Sequence, residues 1–158
     1  MKKSSVLPYA IRQACLWIVR DYSRAETEYR EAREQILRGT PVRFEDKRDP
    51  RTGKYTRIYL PPVHNASRTT EDKATQLEAL NKRSDAVRIR AVGRARRRIG
   101  ADLPDELRRK LQKAIMLSCE NGREWPYERL DVPGIARSEF YERRTAFLTD
   151  IAVYLRLI

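Results

Sequence analysis

The stretch from Asp131 to Leu155, DVPGIARSEFYERRTAFLTDIAVYL, carries the side chains with the most specific chemistry in the chain. If it forms a helix starting near residue 136, a rotation of about 100° per residue places Ser138, Glu142 and Thr145 on one outward face. The same rotation predicts an inward stripe, widened by Leu148, that consists of Phe140, Phe147, Ile151 and Leu155. In the major groove of DNA, arginine can bond guanine, glutamate can accept from cytosine N4, and serine or threonine can serve either role. The candidate base-reading residues are Arg137, Ser138, Glu139, Tyr141, Glu142 and Thr145.

A second set of side chains suits phosphate. The stretch KRSDAVRIRAVGRARRRIG, residues 82–100, contains eight Lys and Arg residues and one acid, Asp85. Two or three cations would be enough to complement a helix dipole, so eight indicate a polyanionic partner whose counterions they displace. The candidate phosphate-binding residues are Arg90, Arg94, Arg97 and Arg98, together with Arg143 from the C-terminal stretch.

The composition of the whole chain agrees with such a partner. Its net charge of +12 and pI near 10.1 favour nucleic acid first and an anionic membrane surface second. A hydrophobic fraction of 41 % predicts a folded protein, whereas 35 % charged residues and a mean hydropathy of -0.74 predict well-solvated helices. At 158 residues the chain has the length of about one domain. No apolar run reaches the roughly 18 residues of a membrane span, so no membrane partner is expected.

Catalytic patterns are missing from the sequence. It has no P-loop, no Ser/His/Asp or Cys/His set, and no carboxylate cluster at metal-binding spacing. Two pairs of carboxylates, Asp46 with Asp49 and Asp102 with Asp105, are better explained by turns and helix caps. The sequence therefore predicts a protein that is not an enzyme and needs no cofactor.

The cysteines and the sole histidine also lack the spacing of a metal site. Cys15 and Cys119 lie far apart and outside any CxxC pair, which predicts reduced thiols rather than a disulfide or a zinc site. His64 stands beside Pro62 without a second imidazole, as expected for a loop residue. Reduced thiols predict a cytoplasmic location.

The elements that must position these side chains begin with a long helix. From Ile11 to Ile36, apolar or small residues alternate at spacings of four and three, which is a heptad seam, and Gly39 with Pro41 is expected to end the helix. Later segments offer a partner seam, so packing within the chain is favoured over a homodimer through this helix. The seam consists of Ile11, Cys15, Ile18, Tyr22, Ala25, Tyr29, Ala32 and Ile36.

A change of pattern follows the first helix. Between Val42 and Leu60, β-branched and aromatic residues flank the turn-like sequence DPRTG, residues 49–53, which predicts a short β-hairpin. After an irregular connection, Thr69 or Thr70 can cap a second long helix that runs from about residue 71 to 98 and packs antiparallel against the first.

The C-terminal third reads as short helices joined by turns. Gly100 breaks the second helix, Asp102 caps the next, and Pro104 falls in its first turn; this helix ends near residues 121–122. A helical turn in WPYERLD, the turn Val132-Pro133-Gly134 and the final helix then have the order of a helix-turn-helix. The predicted fold is mainly α, with a long antiparallel helical hairpin that carries a small β-hairpin insertion at about 42–60, followed by a C-terminal helix-turn-helix bundle. The expected domains are residues 1–98 and 99–158.

Residues 111–158, LQKAIMLSCENGREWPYERLDVPGIARSEFYERRTAFLTDIAVYLRLI, resemble the C-terminal half of the RinA and ArpU group of phage late-gene transcription regulators. The ending of those proteins looks like the helix-turn-helix of sigma-factor region 4. One departure is Ala136, where the family pattern would place a serine that caps the recognition helix, a loss that typically costs about 1 kcal/mol. The positions that carry the resemblance are Gly134, Ile135, Ser138, Phe140, Tyr141, Arg143, Arg144 and Phe147.

This resemblance implies a DNA-binding activator of phage late or packaging genes that acts in the cytoplasm of a bacterial host. Double-stranded DNA is the expected partner, and host RNA polymerase is a further candidate. The alternative is a phage assembly component, either a small terminase-like DNA-recognition subunit or a coiled-coil adaptor. There the heptad seam would form subunit contacts.

Overall fold

The computed structural model describes residues 6–38, 43–60 and 70–158 of the chain. Within these ranges it contains five α-helices, one 3-10 helix and one antiparallel pair of strands. The prediction of a mainly α fold with a small β-hairpin is confirmed. In chain order the elements are α1 (Tyr9–Arg38), β1 (Arg43–Arg48), β2 (Tyr55–Leu60), α2 (Thr70–Lys82), α3 (Ser84–Arg98), α4 (Asp105–Glu120), the 3-10 helix (Tyr127–Arg129) and α5 (Arg137–Tyr154).

The chain divides into two compact units. The larger unit comprises Met1–Glu26 and Ser84–Ile158, and the smaller unit comprises Thr27–Arg83. Residue 98, where the sequence predicted a division between residues 1–98 and 99–158, lies inside the larger unit. All candidate base-reading and phosphate-binding residues belong to the larger unit.

The core of the larger unit is built around α5. Its buried residues Phe140, Phe147, Leu148 and Ile151 fall on the inner face, as the spacing predicted, and α3 and α4 pack against this helix. The ring of Tyr127 lies 5.7 Å from that of Phe140, which brings the 3-10 helix onto the same core. Other fully buried side chains come from α1, α3 and α4, namely Cys15, Val19, Val92, Leu111, Ile115 and Cys119.

The heptad seam of α1 packs within the chain. Cys15 and Ile18 are buried in the core of the larger unit, and Ile11 and Tyr22 pack against that core. In the smaller unit, the Tyr29 hydroxyl donates a hydrogen bond to Asn81 of α2. The first helix therefore uses much of its seam for intrachain contacts. The residues expected to end it, Gly39 and Pro41, lie outside the described ranges, as do Thr69 and His64.

The β-hairpin forms where the sequence predicted it. Phe44 pairs with Tyr59 and Asp46 with Arg57, and the backbone N–H of Gly53 donates to the carbonyl of Asp49 at 2.8 Å to close the turn. Gly53 has a φ of +68°, a conformation that glycine adopts without steric cost. Asp46 lies 3.4 Å from Arg57 in a cross-strand ion pair, whereas Asp49 belongs to the turn.

The prediction of one helix from residue 71 to 98 is wrong. The chain leaves helical geometry at Arg83, between the end of α2 and the start of α3. The Asp85 carboxylate accepts a hydrogen bond from the backbone N–H of Ala86 at 2.9 Å. Short polar side chains such as Ser84 and Asp85 compete with helix carbonyls for backbone donors, so they favour the start of a helix over its interior.

The predicted start of α4 also needs correction. Gly100, with a φ of +65°, ends the preceding helix as expected. However, Pro104 occupies the N-cap position of α4 instead of its first turn, and it provides no side-chain cap. Asp102 does not cap the helix either, because its carboxylate binds Arg143 of α5.

Phe147→Ala removes a core side chain that is 1 % exposed. We expect the free energy of unfolding of the larger unit to fall by about 3–5 kcal/mol, because the lost burial adds to the cost of a cavity. Denaturant titration followed by circular dichroism measures this loss. The control is Val153→Ala on the same helix, where the side chain is 51 % exposed and the change should stay within about 0.5 kcal/mol. Equal losses in the two variants would contradict the assigned inner face of α5.

Candidate nucleic-acid interface

The start of α5 is defined by the turn that precedes it. Gly134 adopts a φ of +81°, and the Tyr127 hydroxyl donates a hydrogen bond to the carbonyl of Ile135. Ala136 then takes the N-cap position in an extended conformation without a side-chain cap, so the helix begins at Arg137. The predicted order of helical turn, glycine turn and long helix is present, although its first member is a 3-10 helix of only three residues.

One face of α5 is open to solvent. Ser138, Glu142, Thr145 and Val153 are exposed along this face. The Thr145 hydroxyl donates to the Tyr141 carbonyl at 2.9 Å, which leaves its oxygen free to accept a hydrogen bond from outside. Apart from Glu142, these side chains are short or apolar. Such a face would let the helix backbone approach the major groove of DNA closely.

Three predicted base-reading residues have partners within the chain. The Arg137 guanidinium lies 2.8 Å from Glu128, and Glu139 lies 2.9 Å from the guanidinium of Arg143. Tyr141 is half-buried and packs edge-on against Phe140, with ring centroids 5.4 Å apart. Of the six predicted base-reading residues, the three that point outward from the exposed face are therefore Ser138, Glu142 and Thr145.

Arg143 binds two carboxylates of its own chain. Its guanidinium donates two parallel hydrogen bonds to Asp102, at 2.9 and 2.8 Å, and another to Glu139 at 3.0 Å. These bonds raise the pKa of Arg143, and the bond from Arg143 lowers the pKa of Asp102 from 3.8 to about 2. The Arg143 side chain is 24 % exposed. The predicted phosphate contact would require it to exchange these bonds, so its position favours a structural role.

The structure brings three of the predicted phosphate-binding residues together. Arg90, Arg94 and Arg97, at helical spacings of four and three, line one open groove of about 520 Å³, which we call the arginine groove. The other side chains at its edge include Tyr22, Glu26 and Tyr154.

Aromatic rings flank these arginines. The Arg94 guanidinium lies 4.2 Å from the centre of the Tyr154 ring, a cation–π distance that holds it in place. Burial raises the pKa of the Tyr22 hydroxyl; Glu26 adds to the shift, and Arg96 and Arg97 oppose it. The groove thus combines three arginines with two tyrosines and one carboxylate.

Arg98 lies outside the arginine groove. Its guanidinium donates to Asp150 at 2.9 Å and to the Tyr154 hydroxyl at 3.3 Å, which connects the end of α3 to α5. Burial raises the pKa of Asp150, and Arg98 counteracts that shift. This predicted phosphate-binding residue therefore also serves as a link between helices, although its side chain is 63 % exposed.

The contacts of α3 with α5 set the arrangement of the two candidate surfaces. Arg94 contacts the ring of Tyr154, and Arg98 forms an ion pair with Asp150. Farther along the chain, Asp102 forms an ion pair with Arg143, which lies nearer the start of α5. The two helices are therefore antiparallel. The arginine groove lies beside the C-terminal end of α5, about 24 Å along the helix from Ser138 at 1.5 Å per residue.

Sequence patterns did not predict Tyr22 and Tyr154 as members of the arginine groove or Asp102 as the partner of Arg143. Tyr22 was recognised only as a seam residue, and Asp102 only as a helix cap. Tyr154 falls four residues after Asp150, a spacing that places both on one flank of α5. Nothing in the local sequence identifies the arginines that they contact.

The described part of the chain also bears on metal binding, membrane spanning and thiol chemistry. There, no cluster of His, Cys, Asp and Glu is large enough to hold a metal ion. No helix in the described ranges has the length and apolarity needed to cross a bilayer. Cys15 and Cys119 are buried free thiols; burial raises the pKa of both, that of Cys119 to about 11.

No protein-family model matches the chain, and neither curated proteins nor solved structures match it significantly. The resemblance to the RinA and ArpU group stays a prediction from the residues that carry it. Support for a nucleic-acid interface comes instead from the placement and charge of this chain's own side chains.

The substitution Asp102→Asn tests the ion pair with Arg143 through the pH dependence of thermal stability. Because folding lowers the pKa of Asp102 from 3.8 to about 2, this carboxylate contributes stability above pH 3.8 that disappears as the pH falls toward 2. We expect the thermal midpoint of the native protein to fall more steeply across that window than the midpoint of Asp102→Asn. Melting curves at closely spaced pH values measure the difference. Asp131→Asn, which removes another exposed carboxylate, should keep the steep fall; equal slopes in the native protein and Asp102→Asn would contradict the role of the pair.

Proposed function

We propose that this protein is a sequence-specific regulator that binds duplex DNA, with α5 reading base edges and the arginine groove binding phosphates. The observation that carries the proposal is the convergence of Arg90, Arg94 and Arg97 in one groove, in the same compact unit as the exposed face of α5. Phosphate contacts position a protein on DNA, and base contacts select the sequence. In this proposal the arginine groove makes the phosphate contacts and the exposed face of α5 makes the base contacts.

The exposed face of α5 has dimensions that suit base reading. Ser138 and Thr145 lie seven residues apart, a rise of about 10 Å, which matches about three base pairs at 3.4 Å each. Glu142 stands between them and can accept a hydrogen bond from cytosine N4. The missing side-chain cap at Ala136 leaves the first backbone N–H groups of α5 suited to a phosphate oxygen.

The charges divide between the two helices. Within α5, three arginines are balanced by three acids, whereas α3 carries six arginines against one aspartate. Helix α5 alone would bind DNA weakly, so α3 supplies the electrostatic attraction. In this proposal Arg98 and Arg143 do not bind phosphate; they hold α3 and the segment after it against α5.

The resemblance of residues 111–158 to the RinA and ArpU group supports a more specific biological role. On that basis we propose an activator of phage late or packaging genes in the cytoplasm of a bacterial host, with host RNA polymerase as a candidate partner. A phage assembly role remains the competing proposal. The burial of Cys15 and Ile18 in the core does not favour a coiled-coil adaptor, because it removes that part of the seam from intermolecular contact.

Arg97→Ala should weaken binding to all duplex sequences alike. If the arginine groove neutralises three phosphates, the affinity of the native protein should fall about 40-fold between 50 and 200 mM salt, and loss of one contact should lower the slope of log affinity against log salt by about one. Fluorescence anisotropy with a labelled duplex measures both effects. Arg51→Ala, which removes the same charge from the hairpin turn of the smaller unit, is the control and should keep the native slope. A slope independent of Arg97 would remove the groove from the interface.

Glu142→Ala should instead change base preference. Selection from a random duplex pool at about 150 mM salt, where exposed charges are well screened, should enrich one motif with the native protein. The variant should lose discrimination at one position of that motif by about 1–3 kcal/mol, whereas Glu106→Ala on α4 should leave the motif intact. Recovery of duplexes without a common motif, together with a closed ring of subunits in a mass measurement, would support the assembly role instead.

A further inference from the structure

A second groove in the larger unit has a different lining from the arginine groove and shares no residue with it. This groove, which we call the α4 groove, has a volume of about 470 Å³ and runs between α4 and the segment around the 3-10 helix. Its floor consists of four apolar side chains: Ala114, Leu117, Trp125 and Leu130. The volume lies within the range of about 300–1,000 Å³ that is usual for clefts that bind ligands.

The shape of the α4 groove is fixed by local contacts. Among the floor side chains, Ala114 is 4 % exposed, while Leu117, Trp125 and Leu130 are half-buried. The backbone N–H of Trp125 donates to the Asn121 carbonyl at 3.0 Å, and the Asn121 amide donates to Glu124 at 2.9 Å. These bonds fix the backbone between the end of α4 and Trp125. A preformed apolar surface of this kind lowers the entropic cost of binding.

Cations surround this apolar floor. Lys110, Lys113 and Arg129 line the groove together with a single acid, Asp131. The Lys110 ammonium lies 3.7 Å from Asp131 and 3.6 Å from Glu106, which is beyond hydrogen-bond distance in both cases. Its donors therefore remain able to bind a closer anion, and the lining keeps an excess of positive charge.

This combination favours a peptide over nucleic acid. Trp125 is the single aromatic ring among the four floor side chains, so successive bases would have only one ring to stack on, whereas stacking on several rings is what holds single strands to a protein surface. A phosphate backbone would leave the floor uncovered. A peptide with a large apolar side chain between carboxylates would cover the floor and place its charges beside the lysines and the arginine.

We infer that the α4 groove is a docking site for a short acidic segment of a partner protein, one in which a large apolar residue is flanked by aspartate or glutamate. The inference is independent of DNA binding. It uses residues on α4 and the following segment, and it holds whether or not the arginine groove and α5 contact DNA.

Trp125 provides a direct probe of the α4 groove. In a Trp17→Phe background, which leaves Trp125 as the single tryptophan, the protein is titrated with the acetylated peptide amide Glu-Glu-Phe-Leu-Asp and with its neutral counterpart Gln-Gln-Phe-Leu-Asn. We expect the acidic peptide to give a saturable change in Trp125 fluorescence. The neutral peptide should bind at least about fivefold more weakly, the factor expected for one partly exposed charge pair.

Charge reversal identifies the site. Lys113→Glu should lower the affinity for the acidic peptide by at least about fivefold. Arg12→Glu, which makes the same charge reversal at an exposed position of α1 outside the groove, should leave the affinity for this peptide unchanged. Circular dichroism confirms that both variants are folded. The inference is overturned if neither peptide saturates, if the two bind equally well, or if the two variants lose affinity equally.

Nucleic acid is tested in the same assay. A short duplex should leave Trp125 fluorescence unaltered and should not displace the acidic peptide. A saturable Trp125 change with the duplex that Lys113→Glu abolishes would assign the α4 groove to the DNA surface and overturn the docking of a peptide.

Discussion

The burial of one side of α5 is the constraint on which the rest of the larger unit depends. Phe140 and Phe147 are almost completely shielded from solvent, and two buried aromatic side chains of this size contribute several kcal/mol. Once these rings face inward, the helical repeat leaves no choice for the opposite face. Ser138, Glu142 and Thr145 must then point outward, so packing energy determines which side chains are available for a partner.

Ion pairs connect the elements of this arrangement and add modestly to its stability. Exposed pairs of this type contribute about 0–1 kcal/mol each, much less than the aromatic core. Arg143 with Asp102 and Arg98 with Asp150 nevertheless fix how α3 and its following turn lie along α5. Arg90, Arg94 and Arg97 share one groove because spacings of four and three place them on one face of α3. Arg98 and Arg143 thus connect α3 and its following turn to α5, while the other three arginines line the groove.

The two grooves of the larger unit differ in the uncharged part of their lining. Both carry cations, but the arginine groove places them among tyrosines, whereas the α4 groove places them around an apolar floor. Charge gives each groove an attraction for anions that extends over several ångströms. The uncharged part of the lining then selects among anions, because an apolar floor stays unfavourably exposed unless the partner covers it.

Local patterns were enough to predict the inner stripe of α5, the β-hairpin with its turn at residues 49–53, and the cationic character of α3, because each depends on residues close together in the sequence. The break at Arg83 was missed, since the apolar spacing continues across it while the polar pair Ser84 and Asp85 favours a new helix start. The partners of Arg98 and Arg143 could not be predicted either. Asp150 and Asp102 lie 52 and 41 residues away in the chain, and only the packing of α3 beside α5 brings them together. The sequence by itself determined which side chains carry charge and which face of each helix is apolar. The tertiary structure decided which charges pair with each other, because pairing depends on distances that only long-range packing sets.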